Sequence, residues 1–390
     1  MTAAPPAPAT RASQLETESA FTVAARVRQL RAVGRHITDL SIGEPDLPTP
    51  QCIVEAGARA LRDGATRYTP PAGLPELRSA IADDLNRSIE PSGRLAAQDI
   101  FVTPGAKPAL LYALLATVGP GDEVLVPDPG FAPCHSQVRL AGAAPVPYPA
   151  GRAADHVTPR SRAIILNSPA NPTGAALGLE ELSAIADLAE RHELVVISDE
   201  IYARIWFGSG ERAASVAQLP GLRPRTIIVD GFSKAWRMTG WRLGHAVVPR
   251  HLRTAFERLA VNAHSCVPAF VQHAGVAALA AGDQLVRQYV RQLRARRDTL
   301  VAALNALPGV TCATPPGAFY AFPDCSHLLA RTGWSDVELQ QHLLEHTGIA
   351  TLAGSTFSAE GAGHLRLSFA ASPGTIDAAI TRLSTLSPAP

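Results

Sequence analysis

Lysine is almost missing from this chain of 390 residues. Lys107 and Lys234 are the only two, although lysine and arginine together number 35. Cysteine is sparse as well, and Cys52, Cys134, Cys266, Cys312 and Cys325 follow no CxxC or Cys/His spacing, which argues against a disulfide framework and against a zinc site. Charge of one sign is not in excess. The formal net charge is +1, and no segment gathers arginine into a basic stripe, so neither nucleic acid nor an anionic membrane is the expected partner. A small molecule is. Apolar runs such as 274–281 are too short to cross a bilayer, and the opening MTAAPPAPATRAS has neither a basic region nor an apolar one, so a cytoplasmic location is expected.

What is present is a globular composition, 46% hydrophobic and 18% charged, long enough for about two domains. The bias toward arginine sharpens the reading of the two lysines. Arginine replaces lysine at a solvated position, but a guanidinium is not deprotonated, does not readily form a Schiff base and is a poor general base. A position that needs a primary amine cannot follow the bias. Taken singly, each lysine could also be one that the bias missed, the lesser reading, and local context decides.

Residues 1–17 are Pro, Ala, Thr and Ser with few large apolar groups and read as a disordered tail, followed by an arm over 18–45 that joins the smaller domain. Within the arm, Phe21 to Leu30 has helical spacing and Ile37 to Ile42 alternates like a strand. Gln51 to Leu61 and LPELRSAIADDL read as helices. From Ile100 to Val248 short β-rich runs (IFVTPG, EVLVPDP, APVPY, RAIILN, LVVISDE, TIIVDGF, LGHAVV) alternate with helical segments such as Ala106 to Val118 and Leu179 to Arg191. That rhythm predicts an α/β fold: a large domain over 46–285 with a mostly parallel, doubly wound sheet covered by helices. Long helical patterns follow at Pro268 to Ala281 and Asp283 to Leu307. The mixed signals of FYAFPD, GIATLAG, HLRLSFA and Pro373 to Leu386 predict a smaller α+β domain over 286–390.

In such sheets ligands sit outside the carboxyl ends of the strands. IFVTPG ends at Gly105, and the helix that begins there could hold a phosphate on its free N–H groups, although such turns are common for steric reasons alone. GxGxxG and GxxxxGK[ST] are both absent. RAIILN runs into SPANPTG, a loop with Asn171 and Gly174. LVVISDE ends in Asp199, a carboxylate that needs a partner if buried and could also be a helix cap. TIIVDGF ends in Ser233 and Lys234, with Arg242 eight residues on.

Gly43-Glu44-Pro45-Asp46, Tyr68 in RYTPPAGLPELR, Gly105-Ala106-Lys107, Asn171-Pro172-Thr173-Gly174, Asp199-Glu200-Ile201-Tyr202, Ser233-Lys234 with MTGWR, and Arg366 in RLSFA resemble, in order, the motif series of the class I/II, fold-type-I aminotransferases that use pyridoxal 5'-phosphate, in the aspartate aminotransferase branch. The resemblance runs from about Phe21 to the C-terminus. It implies that Lys234 carries the cofactor and shuttles the proton, that Asp199 pairs with the ring nitrogen, that Asn171 and Tyr202 donate to the ring oxygen, and that Phe131 stacks on the ring. It further implies that Gly105, Ala106, Lys107, Ser233 and Arg242 surround the phosphate together with Tyr68 of the other subunit of a homodimer. Arg366 would take the substrate α-carboxylate, with Gly43 and Asn171 lining the same pocket. No metal is implied.

The chemistry suits these residue types, because a carboxylate at the ring nitrogen sustains the electron sink, a desolvated lysine beside other cations is partly deprotonated, and a planar guanidinium holds a carboxylate with two bonds. Arg237 departs from the family pattern, in which the third residue after the lysine is small. It reads either as an ion pair at a surface or interface or as a substrate or phosphate contact. His135 reads as a packing or solvent-facing residue. The expected reaction moves an amino group from an L-amino acid to a 2-oxo acid. Elimination, substitution, decarboxylation or cyclisation on the same cofactor is the alternative, and a regulator domain that binds the cofactor is disfavoured because so short an N-terminal stretch leaves no room for a DNA-binding domain. The side chain of the substrate is not legible.

Overall fold

The computed structural model describes residues 9–13, 15, 18–90 and 92–384. Most of the N-terminal stretch read as a tail therefore lies outside the described residues, and Thr10–Ser13 within it forms one helical turn. The Ser19–Ala32 helix leads into β1 (Thr38–Asp39), which is shorter than the alternation of 37–42 predicts. β2 (Ile100–Thr103), β3 (Glu123–Asp128), β4 (Ala144–Pro149), β5 (Ser161–Asn167), β6 (Val195–Asp199), β7 (Thr226–Gly231) and β8 (Gly244–Val247) form one seven-stranded sheet in the order β2-β8-β7-β6-β5-β3-β4. β8 is antiparallel to both of its neighbours, and the other pairs are parallel. β4 carries Pro145, Pro147 and Pro149 and lies at the edge, where a missing N–H does not interrupt a ladder.

Both faces of this sheet are covered, as its near-continuous apolar runs require. Ile164 and Leu166 pack on one face with Leu77, Ile81 and Leu85 of the Pro75–Ile89 helix and Leu182 of the Leu179–Arg191 helix. Ala163 and Ile165, one residue out of phase, pack on the other with Ala109 and Ala113 of the Ala106–Thr117 helix and Phe256 of the Arg253–Ala263 helix. Val196 and Ile197, then Ile228 and Val229, divide in the same way.

The chain leaves this core through one continuous helix, Asp283–Asn305. Val286 packs with the large sheet, whereas Tyr289, Leu293 and Leu300 pack in a second core, so the expected division at 285/286 falls inside a helix that spans both. β9 (Tyr320–Ala321), β10 (Ile349–Ala350), β11 (Leu352–Ala353) and β12 (Leu365–Ser368) follow. β12 lies between β11 and β9, antiparallel to both, while β10 pairs in parallel with β1. Val23, Val27 and Ile37 of the N-terminal arm pack against Leu344, Leu352 and Phe357, which fixes the arm to the C-terminal part of the chain. Among the described residues no helix is long and apolar enough to cross a membrane.

Candidate active site

A cavity of about 350 Å³ opens at the carboxyl ends of β5, β6 and β7, roofed by the arm and by β9 and β12. Gly43, Ala106, Lys107, Phe131, Asn171, Asp199, Tyr202, Ser233, Lys234, Arg242 and Arg366 all line it. These residues are drawn from segments more than 300 positions apart. Tyr68 does not line this cavity and is 91% exposed. A larger open groove of about 960 Å³ beside it holds Arg237 and neither Lys234 nor Asp199.

β6 ends in Asp199, and Glu200 follows it directly, so the two successive carboxylates leave the extended chain on opposite sides. Glu200 points away from the cavity, where Arg212 Nη2 donates to it at 3.0 Å, Ser215 Oγ at 2.7 Å and Ser198 Oγ at 3.1 Å. Asp199 points into the cavity and accepts the Ile201 N–H at 3.2 Å. Burial pushes its carboxyl up to about 7, with Glu200 adding to the rise and Lys234 opposing it. The site thus holds a buried carboxylate that forms no ion pair among the described residues.

Lys234 follows β7, and its Nζ donates to the Gly43 carbonyl at 2.6 Å. Burial is the main cause that brings its amine down to about 8, and the positive charges of Arg366, Arg242 and Lys107 act in the same direction. An amine so placed is substantially free near pH 8, as a nucleophile and proton carrier needs. Gly43 cannot carry a side chain, because a Cβ there would stand 2.0 Å from the Tyr320 hydroxyl. That hydroxyl lies 2.6 Å from the Tyr202 hydroxyl. Tyr320 belongs to this wall, and sequence reasoning missed it: a two-residue strand has no periodicity to mark it.

Arg366 on β12 is buried, and its guanidinium lies 4.5 Å from the Tyr320 ring centroid. Its Nη1 donates to Asn171 Oδ1 at 3.0 Å and its Nη2 to the Ser41 carbonyl. Both of these partners are neutral, which leaves a desolvated cation able to take an anion. Asn171 is itself set by its N–H bond to Asn167 Oδ1 at 2.8 Å.

At the opposite end, Gly105 caps the Ala106–Thr117 helix with φ +98, and the unbonded N–H groups of the first turn face the same space as Ser233 and Arg242. A Cβ on Gly105 would meet Arg242 Nη2 at 2.3 Å. Arg242 is oriented by a bond from Nη1 to the Thr239 carbonyl at 2.8 Å. Lys107 lies in the same helical turn, but its ammonium is engaged by Glu18 of the arm and stands 5.5 Å from the Phe131 ring centroid. Glu18 is a second residue that the sequence did not flag. Arg237 adopts φ +57, lines the open groove, and sets its guanidinium 5.4 Å from the Tyr289 ring centroid. His135, on the Pro133–Leu140 helix, does not line the cavity.

The family model for "Aminotransferase class I and II" matches residues 35–383. An aspartate aminotransferase of Geobacillus stearothermophilus is 35% identical over 96% of this chain and 97% of its own length. The structure of an aspartate aminotransferase from Thermus thermophilus with maleate superposes with a TM-score of 0.90 at 34% identity, covering 97% of this chain and 99% of that one. An aromatic aminotransferase from Pyrococcus horikoshii superposes with a TM-score of 0.85, also at 34% identity, over 92% of this chain and 97% of that one.

Proposed function

For a chain that belongs to the class I and II aminotransferases, in their aspartate aminotransferase branch, we propose that the cavity around Lys234 is the active site and that the residues converging there divide the work of amino transfer. The enzyme moves an amino group from an L-amino acid to a 2-oxo acid with pyridoxal 5'-phosphate as cofactor. The observation that carries the assignment is a buried primary amine brought down to about 8 in the same cavity as a buried carboxylate that forms no ion pair among the described residues.

The residues fit the cofactor. Asp199 would meet its ring nitrogen, Asn171 and Tyr202 its ring oxygen, and Phe131 a face of the ring. Gly105, Ala106, Ser233 and Arg242 would hold the phosphate, since the turn supplies unbonded N–H donors and Arg242 the charge. When bound, pyridoxal phosphate supplies an electron sink that makes the proton on the substrate Cα removable. Lys234 carries that proton: its amine is free in an appreciable fraction near pH 8, and the Gly43 carbonyl orients it. Arg366 holds the α-carboxylate, exchanging its neutral partners for a charged one, and so orients the substrate.

Arg366→Ala should therefore raise the apparent KM for amino acid and oxo acid together by about 10²-fold, the size of a lost charge-assisted bond pair. Steady-state kinetics with each substrate varied separately checks this, and an effect confined to one substrate would mean that Arg366 reads a side chain.

The reading extends to a homodimer with composite sites. Tyr68, 91% exposed in a Pro/Gly turn and absent from its own chain's cavity, supports it. Mixing a Tyr68→Ala chain with a Lys234→Ala chain should then restore one intact site per hybrid dimer, and activity at limiting cofactor should rise above that of either parent. Hybrids no better than the parents, or a monomer by sedimentation, would oppose this.

A further inference from the structure

Glu18 precedes the Ser19–Ala32 helix in the arm, and Lys107 lies in the first turn of the Ala106–Thr117 helix on the large sheet. Their ion pair joins the two, with the side chains 26% and 43% exposed. Inside the pair lies the 350 Å³ cavity. Outside it lies a groove of about 610 Å³ between the arm and the Pro133–Leu140 helix, lined by Leu15, Ser19, Gln137 and Thr356 among others. Glu18, Lys107 and Phe21 line both spaces, so the pair is the partition between them.

We propose that Glu18 is the residue that sets which substrate side chains the site accepts: with Glu18 on Lys107 the wall is neutral and favours an aromatic or aliphatic side chain, and an acidic side chain enters by displacing Glu18. This rests on the amino-transfer reading of the cavity. Apart from the pair, the wall contributed by the arm and the facing helix is apolar, with Phe21, Ala24, Ile42 and Leu110. Without Glu18, the Lys107 ammonium would be the open cation of that wall and would draw a second substrate carboxylate. With Glu18 present, such a carboxylate must exchange with one already bound. A half-exposed ion pair is weak enough to allow that exchange, and the outer groove gives the displaced Glu18 side chain somewhere to go. Overall likeness does not settle the matter, because the aspartate and the aromatic enzymes compared above are equally identical to this chain. The side-chain wall has to decide it, and Glu18 is the one carboxylate in that wall.

The test uses the enzyme loaded with its cofactor and two unreactive probes, succinate with two carboxylates and 3-phenylpropionate with one, with dissociation constants measured by calorimetry. Glu18→Gln should shift the ratio of the two constants toward succinate by about fivefold, the effect of releasing one half-exposed ion pair. Lys107→Met should shift it the other way by a similar factor, and it keeps the question open to refutation if Glu18→Gln does not fold. Ratios within twofold of the unmodified enzyme in both variants would overturn the assignment of Glu18. If neither probe binds the unmodified enzyme while cofactor is bound, the reading of the cavity as the amino-transfer site fails, and the role of Glu18 fails with it.

Discussion

Lys234→Ala is expected to lose amino transfer by roughly 10⁴-fold or more, because one substitution removes both the nucleophile and the proton carrier. The structure gives no other residue that could substitute for it. Lys107, the only other lysine, is held by Glu18, and the guanidinium groups of Arg242 and Arg366 do not give up a proton near neutral pH. Lys234→Arg should be as inactive as Lys234→Ala, although it keeps the positive charge. Small primary amines added to the Lys234→Ala protein should restore part of the proton transfer, and quaternary ammonium salts at the same concentration, which carry no lone pair, should not. Borohydride reduction of the loaded enzyme followed by peptide mapping should place the cofactor label on Lys234. A label on Lys107 would reverse the assignment.

Asp199→Asn is expected to keep the cofactor yet lose about 10³-fold in turnover, since an amide no longer holds a positive charge at the ring nitrogen. The same substitution should stabilise the protein stripped of cofactor. Burial raises the Asp199 carboxyl in the folded chain to about 7, above its value in an unfolded one. A carboxyl raised in this direction contributes stability that is fully present below the unfolded pKa and is lost as pH rises through about 7. The stripped enzyme should therefore lose on the order of a few kcal/mol between pH 4 and pH 8 through this residue. Asp230, also buried and raised to about 7, adds a loss of the same sign. Asp199→Asn removes the Asp199 share, so its Tm without cofactor should exceed that of the unmodified chain at pH 8 and approach it near pH 4. An unchanged pH slope would show that Asp199 is not held at this cost, and the conflict between stability and activity placed here would be absent.

The parts of the site that the sequence revealed are those attached to strands with strong local signals. Asp199 and Lys234 follow apolar runs that read as buried strands, and the scarcity of lysine together with its place at a strand end marks Lys234. The missed residues belong to segments without such a signal. Tyr320 sits on a strand of two residues and reaches the cavity through β12, which brings Arg366 beside it. Glu18 meets Lys107 across 89 positions of chain, a contact that no local pattern encodes. The expected alternation in 37–42 is not kept, since Ile37, Thr38, Leu40 and Ser41 are all buried and Ile42 is exposed, and strand pairing is limited to Thr38 and Asp39 opposite Ile349 and Ala350. The helical wheel of Asp283–Asn305 likewise marked a helix without showing that its first turns face one core and the remainder another.

The central claim, that the cavity transfers an amino group, is tested most directly by mixing the loaded enzyme with single L-amino acids in the absence of any oxo acid. The account predicts one equivalent of 2-oxo acid per bound cofactor, a matching change in the cofactor's absorbance, and then no further product until an oxo acid is added. Continued release of product beyond one equivalent, or evolution of carbon dioxide or ammonia, would contradict it.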